Sequence, residues 1–120
     1  LRLARHDAQA FGRVRRALIG GSARSRAAAL RGATEIPWQV VQEASDLQQL
    51  CLQAGSRVPR QLQMDLRCAR VLARAATEAG RILVEGNLAW LADPRYARRM
   101  RAKLRTLKDQ GGGRPRRGAR

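Results

Sequence analysis

Apolar residues recur along this chain at the three- and four-residue spacing of helices. Over residues 3 to 18, Leu3, Asp7, Phe11, Val14 and Leu18 share one stripe, while Arg2, Arg5, Arg13 and Arg16 lie mostly off it. One member of that stripe is an aspartate. A carboxylate among such neighbours loses hydration, which favours its neutral form, and groups so placed often move protons. The plain alternative is a first-turn aspartate that favours the helix N-terminus through its dipole.

Gly20, Gly21 and Ser22 end this first helix, and a second helical stretch covers about residues 23 to 33. Pro37 then either starts a new helix or kinks a continuing one, because its missing N–H is harmless only at a helix start. Thr34 or Ile36 would flank such a start, and Thr34 is chemically the better cap. From residue 37 to 54 the apolar line is Val40, Val41, Ala44, Leu47, Leu50, Cys51 and Ala54. Gly55 stops it, and residues 56 to 61, with Pro59, read as a loop.

The longest helix is expected from residue 62 or 65 to 91. Arg74–Glu78 and Arg81–Glu85 are expected as ion pairs on its wet side. Small residues Ala69, Ala73, Ala76 and Gly80 form a seam that admits a neighbouring helix. Leu83 and Asn87 continue it, and an amide there needs a hydrogen-bond partner. Either an interhelical bond or a ligand would satisfy Asn87. Asp93 caps a last helix with Pro94 at its first position, and Tyr96, Met100, Leu104 and Leu107 give its apolar line. The expected fold is all-α, an antiparallel bundle of four or five helices. Its apolar faces exceed what one copy covers, so self-association is expected.

Composition sharpens this picture. The 120 residues carry a net charge of +16. Residues 95 to 120 hold eleven Arg or Lys and a single acid, Asp109. Glycine and proline among the last ten residues predict a disordered basic tail over 108 to 120. Such a tail can bind nucleic acid through phosphates. Neither aromatic interleaving nor a helix-turn-helix accompanies it, and the balance is against a nucleic-acid partner. His6 is the lone histidine and Cys51 and Cys68 lack metal spacing, so no metal site is expected. Both thiols fall on apolar stripes and are expected to be reduced core residues of a cytoplasmic protein. No apolar run is long enough to span a membrane.

Five short elements then resemble one family in order. Asp7-Ala8-Gln9-Ala10-Phe11 is similar to the D-A-x-A-F element of the formimidoyltetrahydrofolate cyclodeaminase / methenyltetrahydrofolate cyclohydrolase family. Ala33-Thr34-Glu35-Ile36-Pro37 resembles its A-x-x-[VI]-P helix start, and Asp65-Leu66 with Ala69 its S-D-[LV]-x-x-A element. Val84-Glu85-Gly86-Asn87-Leu88 resembles N-V-x-x-N-L, and Leu91-Ala92-Asp93 the segment after it. Met64 and Leu83 stand where the family has serine and asparagine.

The resemblance implies a helical, dimeric fold over residues 1 to 107, the C-terminal part of a domain whose N-terminal glycine-rich helix is not in this chain. It implies Asp7 as the catalytic residue, and a substrate-binding set of Asp65, Asn87 and Phe11. No permanently bound cofactor is implied; the substrate is a tetrahydrofolate derivative. Its 5-formimidoyl form would be cyclised to the 5,10-methenyl form with loss of ammonia, or the methenyl form hydrolysed to 10-formyltetrahydrofolate. The alternatives are a catalytically inactive interaction module of the same fold and a basic nucleic-acid-associated protein.

Overall fold

The structure, a computed structural model, describes residues 2 to 111, with side chains through residue 107. Four α-helices make up this part: α1 (Arg2–Gly20), α2 (Ala23–Ala54), α3 (Gln63–Trp90) and α4 (Pro94–Gly111). A 3-10 turn, Arg60–Leu62, precedes α3, and no strand occurs among the described residues. The rest of the basic tail lies outside them.

Each helix end has a local cause. At Gly21, a Cβ would fall 2.5 Å from the Ala17 carbonyl oxygen and 2.5 Å from Ser25 Oγ, so only glycine fits this turn. Ser22 then caps α2, its Oγ accepting from the Ser25 N–H at 3.2 Å. Past α2, the Gln63 side-chain amide donates to the carbonyls of Gly55 (3.0 Å) and Val58 (2.7 Å), which ties the loop to the start of α3. Asp93 caps α4 as the sequence predicts, its Oδ1 accepting from the Tyr96 N–H at 3.0 Å. That bond, helped by Arg31 at 2.9 Å, holds the Asp93 carboxyl below its ordinary range.

The second helical stretch does not stop before Pro37. One helix of 32 residues, the longest of the chain, runs straight through it, so four helices form and α2 rather than α3 is the backbone of the fold. Missing a donor, Pro37 leaves the Ala33 carbonyl without its helical partner. Thr34, fully buried, donates its hydroxyl to the Leu30 carbonyl at 2.7 Å just before the proline.

All three other helices pack on α2. Trp38 and Val41 of α2, Val84 and Leu88 of α3, and Met100 and Leu104 of α4 meet in a single core. Gly80 makes the closest approach: a Cβ there would lie 2.7 Å from Val41 Cγ2 and 3.0 Å from the Pro37 carbonyl oxygen. The small-residue seam of α3 therefore faces α2. The last helix buries Tyr96, Met100 and Leu104 as expected, with Leu107 packed at the edge.

Several sequence expectations are corrected. Glu85 pairs across to Arg101 of α4 at 2.9 Å, not with Arg81, which reaches Glu78 at 3.9 Å and donates to the Leu104 carbonyl at 2.9 Å. No Arg74–Glu78 pair forms among the described residues. Cys51 is buried, but Cys68 is exposed, on the outward side of α3. Leu47 and Leu50 are exposed too, because α1 and α4 pack on other parts of α2. No described helix is long and apolar enough to cross a membrane.

Candidate functional site

A cavity of about 690 Å³ opens between α1, the first half of α2 and the last turns of α3. This falls within the range of ~300–1,000 Å³ usual for small-molecule sites. Phe11, Val14 and Leu18 of α1 line one side, Ala27 and Leu30 of α2 the floor, and Leu83 and Trp90 of α3 the other side. Three lining residues are polar or charged: Asp7, Arg26 and Asn87.

The α1 stripe read from the sequence is the wall of this cavity rather than a core face. Ala10 is the buried residue of α1, and it sits to one side of the stripe. Phe11 is 67% exposed and Leu18 52% exposed. Asp7 is exposed as well, contrary to the expectation that its neighbours would desolvate it. Helical spacing correctly placed Asp7, Phe11 and Leu18 on one face. What the spacing could not supply is a layer covering that face, and the described residues supply none.

Asn87 reaches the cavity by a different route. Its Nδ2 donates to the Ala33 carbonyl at 3.3 Å, so the interhelical bond weighed from the sequence is present. The bond also fixes the amide plane at the cavity wall. Three of the four expected site residues, Asp7, Phe11 and Asn87, thus line one space. Asp65 does not join them. It lies exposed in the first turn of α3, 22 residues from Asn87, or about 33 Å along the helix axis.

Arg26 and Trp90 are among the lining residues that escaped the sequence reading. Arg26 donates from Nη1 to the Gly21 carbonyl at 2.7 Å. It falls at helical spacing with Ala23, Ala27, Leu30 and Ala33, which was the available signal. Trp90, 76% exposed, ends α3 beside the cavity. Among the described residues no cluster of His, Cys, Asp and Glu could hold a metal ion.

No curated protein and no solved structure matches the chain. A family model described as formiminotransferase-cyclodeaminase matches residues 1–106, nearly all of the described part. The chain belongs to the formiminotransferase-cyclodeaminase family.

Proposed function

We propose that this chain is a folate-dependent one-carbon domain that cyclises 5-formimidoyltetrahydrofolate to 5,10-methenyltetrahydrofolate and releases ammonia. Its supporting observation is the convergence of Asp7 and Asn87, eighty residues apart in sequence, on one mostly apolar cavity. Family membership supports the substrate class.

The chemistry asks for a single proton carrier. N10 of the substrate attacks the carbon of the protonated formimino group (–CH=NH2+), forming a C–N bond and moving the C=N electrons onto that nitrogen, which becomes a neutral amine (–NH2). The Asp7 carboxylate takes the N10 proton and passes it to that nitrogen, which then leaves as ammonia while the C–N double bond of the methenyl bridge forms. A carboxylate that alternates between acceptor and donor fits this shuttle. Phe11 offers an aromatic face to the flat rings of the substrate, and Asn87 Oδ1, opposite the bonded Nδ2, offers an acceptor.

In this reading the domain holds no permanent cofactor, acts as a homodimer and works in the cytoplasm. Hydrolysis of the methenyl form by the same carboxylate is the neighbouring activity. An absorbance assay following methenyltetrahydrofolate tests both. Wild-type protein should form it from the formimidoyl substrate, and Asp7→Asn should slow turnover by roughly 10²–10⁴-fold. Wild-type protein that leaves both folates unchanged would leave only a catalytically inactive interaction module of this fold.

A further inference from the structure

The cavity is polarised along its length. α1 and α2 form an antiparallel pair joined across Gly21 and Ser22, so residues equally far from that turn face each other. Asp7 therefore sits at the end near Ala33 and Pro37, and Leu18 at the end near Arg26. From Asp7 to Leu18 is about 16 Å at helical rise. Between the two ends the lining is apolar: Phe11, Val14 and Leu30.

Among the described residues, Arg26 is the one cation lining the cavity. Its bond to the Gly21 carbonyl holds the guanidinium at the turn end, and no carboxylate pairs with it among the described residues. A guanidinium has five N–H donors arranged as a fork that matches a carboxylate. One donor is engaged here. We infer that Arg26 binds the carboxylates of the substrate's glutamate moiety and so sets which end of the ligand faces Asp7. This rests on the folate reading above, in which the reacting N10 and the carboxylates lie on opposite sides of the p-aminobenzoyl ring. The competing role is purely local: a basic side chain at a helix C-terminus, satisfying a last carbonyl.

Quenching of tryptophan fluorescence, with Trp90 in the cavity wall as reporter, separates the two. The full chain is titrated with folic acid and with its dimethyl ester, which keeps the rings and loses both negative charges. Wild-type protein should prefer the acid on the order of tenfold, the effect of one charged hydrogen-bonded pair. Arg26→Gln should bind the ester as wild type does and lose the preference, and Arg26→Lys should keep part of it. In turnover, Arg26→Gln should raise KM more than it lowers kcat, whereas Asp7→Asn should lower kcat chiefly. Equal weakening for both ligands would mean that Arg26 merely holds the turn, and a preference surviving in Arg26→Gln would also overturn the assignment. Wild-type binding without preference would overturn the Arg26 role alone. Wild-type protein that binds neither ligand would remove the folate reading and this inference together.

Discussion

Asn87 supplies the hydrogen bond that Pro37 withholds. In an uninterrupted helix the N–H of residue 37 would bond to the Ala33 carbonyl. Proline has none, and the Asn87 Nδ2 donates to that oxygen instead, at 3.3 Å. Asn87→Ala should therefore orphan the carbonyl and cost about 1–3 kcal/mol. In a Pro37→Ala background the new backbone N–H takes over, and the same substitution should cost less. Urea denaturation of the four proteins measures the coupling. An identical cost of Asn87→Ala in both backgrounds would show that the two residues are independent.

Gly80 and Gly86 lie on the same helix and should respond oppositely to alanine. At Gly80 the added Cβ would lie 3.0 Å from the Pro37 carbonyl oxygen, a backbone atom, and 2.7 Å from Val41 Cγ2. α2 and α3 must then part, at a cost of about 1–3 kcal/mol that outweighs the gain in helix propensity. A Cβ at Gly86 would meet nothing within 4 Å. There alanine should stabilise by about 0.5–1 kcal/mol. Matching shifts in the urea midpoint, in either direction, would contradict the close approach of the two helices.

Tyr96 is the sole tyrosine, so its ionisation can be followed directly by ultraviolet absorbance. Burial, and then the hydrogen bond from its hydroxyl to Glu35 Oε1 at 2.7 Å, raise its pKa well above the ordinary value of 10.0. The raised folded value means that the stabilisation is complete below pH 10 and is lost as pH climbs through the folded pKa. Native protein should remain un-ionised at a pH where urea-unfolded protein is already half phenolate. Glu35→Gln should lower the native value only partly, because burial is the larger cause. Coincident native and unfolded titrations would mean that the hydroxyl is open to water.

The sequence announced ends and faces better than it announced coverings. Gly21, Ser22, Asp93 and Pro94 act locally, and the helix boundaries they mark stand where local chemistry puts them. The α4 line was legible because its partners, α2 and α3, are in the same chain. Pro37 was ambiguous because the group that compensates for it lies fifty residues away. Asp7 and Cys68 were misjudged for a shared reason: periodicity shows that a face is apolar without showing what lies against it. Arg26 escaped notice because a lone arginine beside apolar neighbours reads as part of a solvated face until the cavity is seen.

The outer side of α3 is a second apolar face left exposed. Val71, Leu72 and Ile82 are 60%, 70% and 65% exposed, and Met64, Cys68 and Ala75 share their helical face. The chain is also extended, with a radius of gyration of 18.0 Å, against about 13 Å for a compact domain of this length. A continuous apolar line of this kind on an elongated chain fits a second copy packed along α3. Sedimentation should give twice the 13.3 kDa chain mass for wild type, and the monomer mass for Leu72→Glu or Ile82→Arg. Neither residue lines the cavity, so folate binding by those variants reports whether the site needs its neighbour. A wild-type chain that sediments as a monomer at micromolar concentration would leave this face without its proposed cover.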